Sequence, residues 1–266
     1  MVNEVSVMKM NFNEKKMLAS DLDGTLILKD IIMEKDRQAI RDFRERGGIF
    51  TVSTGRPLNG VATLDVDNEI EIDYYVLLNG ALILDSKKNQ VKHILMENTV
   101  IKEILDDILT KEMRIGIDTG YKTYLFNERD DFPFKNFQAI TSFDEIKEDV
   151  SLLAIAFDNK PFEEIESLKN YINHKYGTFI SAYRNTCYID IVPKGCSKGN
   201  GVQLVSEMAK VKCDNVYTIG DSYNDVAMFE ITSNSFTFHR AEEGLKSIAK
   251  NIVEDVAQCI NDYILI

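Results

Sequence analysis

Leu18-Ala-Ser-Asp-Leu-Asp-Gly-Thr-Leu26 is the stretch that decides how this chain reads. An apolar run ends there in two carboxylates, Asp21 and Asp23, one residue apart, and Gly24 follows at once. Residues i and i+2 of a strand point the same way, so both acids can face one point beyond the strand's carboxyl end, where open α/β sheets bind ligands. A metal ion or a phosphate suits that place. An ordinary acidic turn after a strand has the same local spelling, so the rest of the chain must supply matching parts.

Outward from this segment, strands and helices alternate. Residues 17–22 read as a buried strand and 33–46 as an amphipathic helix with Met33, Ala39, Ile40 and Phe43 inward and Gly47-Gly48 as its stop. A second strand at 49–53, a helix at 58–67 and a third strand at 74–78, ending at Asn79-Gly80, continue the series. Such alternation predicts a parallel sheet with covering helices.

From Leu82 the rhythm changes. β-rich segments at 115–118, 122–126 and 152–157 are separated by helices near 100–111 and 162–174, and 183–190 adds strand signal, which predicts an α+β module. Pro193, Gly195 and Gly199 then punctuate a return to alternation. A helix with Val202, Leu204, Val205 and Met208 leads to a strand at 216–219 that meets Gly220-Asp221. A helix from Asn224, a short strand at 236–238 and helices near 241–250 and 254–264 follow. The second module is therefore inserted into the first, and residues 1–16 read as a weakly patterned extension.

Composition narrows the function. Of 266 residues, 44% are hydrophobic and 28% charged, as in a globular protein able to bury a core, and the length allows two domains. A formal net charge of -12 argues against nucleic-acid partners and anionic membranes, both of which need a basic face. An anionic substrate must then be held by local positive charge: a metal, a few cations and helix amino termini. The four cysteines, Cys187, Cys196, Cys213 and Cys259, form no Cys-x-x-Cys pair, which fits reduced thiols and a cytoplasmic location. The polar first sixteen residues do not read as a signal peptide, and no apolar run reaches membrane-spanning length.

Further chemistry-bearing groups end other strands or open a helix: Thr54-Gly55-Arg56, Lys198, and Asp221 with Asn224 and Asp225. In this order the chain resembles the haloacid-dehalogenase-like superfamily, and within it the Cof-type branch of sugar-phosphate phosphatases. The resemblance is carried by Asp21-Leu-Asp-Gly-Thr25, Ser53-Thr-Gly-Arg56, Asn79-Gly-Ala81, Pro193-Lys-Gly-Cys-Ser-Lys-Gly199 and Gly220-Asp-Ser-Tyr-Asn-Asp225. It implies an α/β fold, a Rossmann-like parallel-sheet core of residues 1–81 and 187–266, with an inserted α+β cap at 82–186 that selects the substrate.

The resemblance also implies roles. Asp21 would be the nucleophile that forms an aspartyl-phosphate. Mg²⁺ would be held by the side chains of Asp21 and Asp221 and the backbone carbonyl of Asp23. Asp23 would protonate the leaving alkoxide, which requires a proton on it at the first step, and then take a proton from the attacking water. Thr54, by hydroxyl and backbone N–H, and Lys198 would hold phosphoryl oxygens. Asp225 would hold Lys198 or a metal-bound water; Asn224 would touch phosphate or cap a helix. Arg56 would orient the loop it shares with Gly55 or pair with an acid, and Asn79 would mark the approach to the cap or a plain turn.

The expected activity is Mg²⁺-dependent hydrolysis of small phosphorylated metabolites by a monomer or small homo-oligomer. Two alternatives are a phosphomutase of the same superfamily and a metabolite-binding regulator without turnover. His93, His174 and His239 read as surface or packing residues, and Tyr121, Tyr124, Phe126, Phe132, Phe134 and Phe137 as the aromatic core of the inserted module. Phe238-His-Arg-Ala241 departs from the Met-Gly-Asn-Ala-like loop usual in the branch.

Overall fold

The computed structural model describes residues 12–110, 113–126, 137–157 and 160–266. Eight strands form the larger sheet, in the order Asn251–Val253, Asn234–Phe238, Val216–Ile219, Met17–Ser20, Ile49–Ser53, Tyr74–Leu77, Leu82–Asp85, Gln90–His93. The first six are mutually parallel, and each of the last two pairs antiparallel with the strand before it. Leu18 and Phe50 enter one apolar cluster and Met17 and Ala19 another, so this sheet is buried on both faces. Such strands read as continuous apolar runs.

Helix Glu34–Glu45 covers the first face with Ala39, Ile40 and Phe43. Helix Lys198–Ala209 covers the second with Val202, Val205 and Ala209. Register places the site: Ser20 lies opposite both Ile219 and Val52, so Asp21, Ser53-Thr54 and Gly220-Asp221 leave the sheet at one edge.

A second sheet of six strands runs Ile180–Asn185, Tyr188–Pro193, Leu152–Ala156, Arg114–Asp118, Thr123–Phe126, Gln138–Ile140. Its alternation is clear in side-chain use. One face packs Ile115, Ile117, Leu153, Ile155, Ile189 and Ile191 against helices Asn98–Ile108 and Phe162–Tyr176. The other face turns to the larger sheet: Leu152, Ala154, Tyr183 and Val192 join its apolar cluster.

Several expectations need correction. The sheets do not divide at 81/82 and 186/187. Leu82–Asp85 and Gln90–His93 extend the larger sheet, because Leu82 and Leu84 enter one of its cores and Ile83 the other. Tyr188–Pro193 completes the smaller sheet, with Ile189 and Ile191 in its core. The single helix expected at 58–67 is a 3₁₀ turn Leu58–Gly60 and a short helix Leu64–Asn68, separated after Asn59-Gly60. The strand signal at 183–190 is a hairpin of two strands, with Thr186 at φ 49 in its turn.

Met33 is the exposed N-cap of its helix, and Asp36 is buried there instead, accepting the Ala257 N–H at 2.8 Å. Tyr121, expected in the aromatic core, is exposed, and its hydroxyl donates to Gln90 Oε1 at 2.9 Å. The helix expected at 241–250 is confined to Glu243–Lys246, and 254–264 is helix Val256–Cys259 followed by a π-helical segment Ile260–Ile264. Residues 1–11, Lys111, Phe132 and Phe134 lie outside the described residues. From Phe12 the chain is anchored: the Phe12 ring lies 5.7 Å from that of Phe43, and Lys16 Nζ donates to the Ile264 carbonyl at 2.6 Å.

Candidate active site

Asp21 follows the first strand and is fixed by its own N–H, which donates to the Ile219 carbonyl at 3.0 Å. Gly24 then turns at φ +81, and a Cβ there would stand 2.3 Å from Asp221 Oδ2. No side chain fits. Thr25 Oγ1 donates to Asp221 Oδ1 at 2.8 Å, so the first loop grips the carboxylate of the later one. Across the edge, Ser197 caps helix Lys198–Ala209 by accepting the Asn200 N–H at 3.0 Å, which sets Lys198 as its first residue. Gly80, at φ +89, lies so close to this cap that a Cβ would meet the Ser197 carbonyl at 2.2 Å.

Lys198 Nζ donates to Asp21 Oδ1 and to Asp225 Oδ1, each at 2.6 Å. Asp225 Oδ2 accepts the N–H groups of Asp221 and Ser222 at 2.9 and 3.0 Å. One carboxylate thus fixes both the lysine and the loop that carries Asp221. Lys198, Asp21 and Asp225 are almost wholly buried.

Burial pushes the Asp21 carboxyl well above the usual carboxylate range; Lys198 opposes this, while Asp225 and Asp221 add to it. Asp221 is raised too, by burial and by Asp225. Burial alone would pull the Lys198 ammonium down, but Asp21 and Asp225 overcome it and hold it above its ordinary value. Three carboxylates around one ammonium leave a deficit of positive charge. Oxygen atoms of Asp21, Asp221 and Asp225 lie within 4.8 Å of one another, a hard-donor set that fits a divalent cation.

Asp23 points elsewhere. Its carboxylate is paired with Arg56, whose Nε donates to Oδ2 at 2.7 Å, and the Asp23 side chain is largely exposed. Arg56 also donates to the Gly60 carbonyl, so it both pairs with an acid and ties down its own loop. Thr54 differs from expectation in one donor: its N–H is used by the Val76 carbonyl at 2.9 Å, and its hydroxyl accepts the Arg56 N–H at 3.1 Å. Asn224 caps no helix; its Nδ2 reaches Asn79 Oδ1 at 3.4 Å. Gly55 sits beneath the second sheet, where a Cβ would stand 3.2 Å from Asp190 Oδ2.

Sequence reasoning misses three residues near this site. Thr25 is the last letter of the first motif, yet the motif alone assigns it no task. Asp190 is a lone acid inside a strand, and its Oδ2 accepts from Asn79 Nδ2 at 2.8 Å. Arg240, within the atypical 238–241 loop, lies 3.7 Å over the Phe238 ring and donates to the Gly24 carbonyl at 2.6 Å. Cys196, though close in sequence to Lys198, is a buried thiol pushed up to about 11 by its burial. His93 shares a hydrogen bond with Ser151 Oγ at 2.7 Å, while His174 and His239 are exposed.

The sequence profile of the haloacid dehalogenase-like hydrolases matches residues 18–260. The chain belongs to that family. This haloacid dehalogenase-like hydrolase is 26% identical to a 5-amino-6-(5-phospho-D-ribitylamino)uracil phosphatase of Bacillus subtilis, over 87% of this chain and 90% of that one. Its fold matches a haloacid dehalogenase-like hydrolase from B. subtilis with TM-score 0.84 at 20% identity, over 94% of this chain and 100% of the other. It also matches the HAD subclass IIB sugar phosphatase BT4131 with TM-score 0.79 at 18% identity, over 94% and 100% of the two chains. Family and relatives make the chain a phosphomonoester hydrolase. Among the described residues no helix is long and apolar enough to cross a membrane.

Proposed function

We propose that this hydrolase releases phosphate from small phosphorylated metabolites, sugar phosphates or compounds of similar size, in two steps through Asp21. The observation that carries the reading is the buried Asp21–Lys198–Asp225 chain with Asp221 beside it at one sheet edge. The activities for which the ribitylaminouracil and sugar phosphatase relatives are named support the substrate class.

The proposed ion is Mg²⁺, for which Asp21 and Asp221 would supply carboxylate oxygens and Asp23 its backbone carbonyl. When bound, it supplies the positive charge that lets a carboxylate approach a phosphate dianion. In the first step an Asp21 oxygen attacks phosphorus, the ester P–O bond breaks, and the leaving oxygen takes a proton from Asp23. That step requires Asp23 to turn at least one oxygen away from Arg56. In the second step water attacks phosphorus, Asp23 takes its proton, and the acyl-phosphate bond breaks to return Asp21 and inorganic phosphate. Lys198 and the Thr54 hydroxyl would hold the phosphoryl oxygens as they gather charge, and Lys198 suits that task as a point charge. The second sheet, over Gly55, would choose the leaving group.

Purified protein given a panel of sugar phosphates, nucleotides and vitamin phosphates should release phosphate with Mg²⁺ and not with a chelator. Asp21→Asn should abolish that release; unchanged turnover in this variant would remove Asp21 as the nucleophile.

A further inference from the structure

The hairpin Ile180–Asn185/Tyr188–Pro193 of the smaller sheet grips one loop of the larger from two sides. Tyr183 pairs with Asp190, and Arg184 with Ile189, so Arg184 and Asp190 lie on neighbouring strands of one ladder. Arg184 is only 7% exposed. Its guanidinium carbon stands 4.6 Å from the Tyr223 ring centroid and 4.9 Å from that of Phe162, a cation held between two aromatic faces. Its N–H groups donate to the Glu242 carboxylate at 3.2 and 3.3 Å, and Nε lies 3.6 Å from a Glu166 oxygen. Phe162 and Glu166 belong to a helix of its own module, Tyr223 and Glu242 to the other side. Arg184 therefore bridges the two.

Asp190 makes the second contact. It is 4% exposed and accepts from Asn79 Nδ2, while Asn79 Oδ1 accepts from Asn224 Nδ2. Tyr223 and Asn224 are consecutive, and they lie between Asp221 and Asp225. One hairpin thus reaches two of the three residues that separate a candidate ion ligand from the partner of Lys198, Tyr223 directly and Asn224 through Asn79.

We infer that Arg184 and Asp190 are positioning residues: the hairpin holds Tyr223 and Asn224, and through them sets Asp221 and Asp225 for a divalent ion. The inference rests on the proposed function for the choice of Mg²⁺ alone. Charge and position predict opposite results for Arg184. Removing a nearby cation would by Coulomb's law tighten binding of a second cation, whereas loosening the turn weakens it.

The test is Mg²⁺ binding to the full-length protein by isothermal titration calorimetry, without substrate. Tyr223→Leu and Arg184→Gln should bind Mg²⁺ about 3- to 10-fold more weakly than wild type, the range expected for coupled neighbours. Tyr223→Phe keeps the aromatic face and should bind as wild type. In phosphate-release assays the Mg²⁺ concentration for half-activation should rise in the two weakened variants, with kcat at saturating Mg²⁺ within about twofold of wild type, because bound ion restores the turn. Should Tyr223→Leu fail to fold, Arg184→Lys decides, since it keeps the charge but loses the planar fork and its stacking. Weaker binding there supports the inference. Unchanged or tighter binding in Arg184→Gln, or a wild-type protein that binds no divalent ion, overturns it. A protein that binds Mg²⁺ with this dependence but hydrolyses no phosphate ester would reject the catalytic reading and leave this one standing.

Discussion

Buried carboxylates occur on both sides of the join between the two sheets, and the chain treats them differently. Around Asp21, Asp221 and Asp225 it buries an ammonium, that of Lys198, and leaves room for more positive charge. Asp118 and Asp190 in the smaller sheet are equally buried but receive neutral donors, the Thr123 hydroxyl and the Asn79 amide. Burial pushes Asp118 up to about 7, a shift the Thr123 hydrogen bond opposes and Asp190 reinforces. Burial likewise raises Asp190, against the pull of Asn79 and Asn185. Burial raises carboxyls in both groups, but only at the first does an ammonium, that of Lys198, oppose the rise of the acid it touches.

Four changes would break or sharpen this contrast. The largest expected effect is on turnover: Asp21→Asn should lower phosphate release by about a thousandfold or more, as losses of a nucleophile do. Next, Lys198→Met leaves Asp21 and Asp225 without their cation and should cost about 3–5 kcal/mol in urea unfolding at pH 8. An unchanged midpoint would mean that the carboxylates are neutral without it.

The third effect lies in the other group. Because the folded pKa of Asp118 lies near 7, above that of an unfolded aspartate, the native state holds the proton more tightly. The contribution of Asp118 to stability is then fullest in acid and is lost as pH rises towards 7. Asp118→Asn should remove this decline, raising the thermal midpoint at pH 8 by several degrees, with the gain shrinking towards pH 4. A gain independent of pH would show that Asp118 is not the group titrating. Smallest is Thr25→Val, which takes one hydrogen bond from Asp221. It should weaken Mg²⁺ binding about threefold in calorimetry while the fold's stability moves by about 1 kcal/mol.

The larger sheet was legible because its central strands are buried on both faces and so spell unbroken apolar runs that end in polar residues. The same logic hid the module boundary. Leu82-Ile-Leu84 is also an apolar run, and nothing in its spelling distinguishes an antiparallel strand added to the first sheet from the start of a second. The gathering of Asp21, Asp221, Asp225 and Lys198 could be read from their places at strand ends and a helix start. The pairing of Asp23 with Arg56 could not, since side-chain direction beyond a strand's end depends on the loop. Arg184 and Asp190 were invisible for another reason: within their strands they look like ordinary alternating polar positions, and only the tertiary fold reveals that Asp190 faces the larger sheet and Arg184 is enclosed by Phe162, Tyr223 and Glu242 instead of water.

The strand that bears Asp21 pairs with Ile49–Ser53 and also with Val216–Ile219, about two hundred residues further along. Closing so long a loop is slow compared with forming local structure. During synthesis the amino-terminal half therefore carries Asp21 well before Lys198 and Asp221 exist to meet it. On the proposed mechanism, a copy truncated before Lys198 would carry Asp21 without the residues that complete its site.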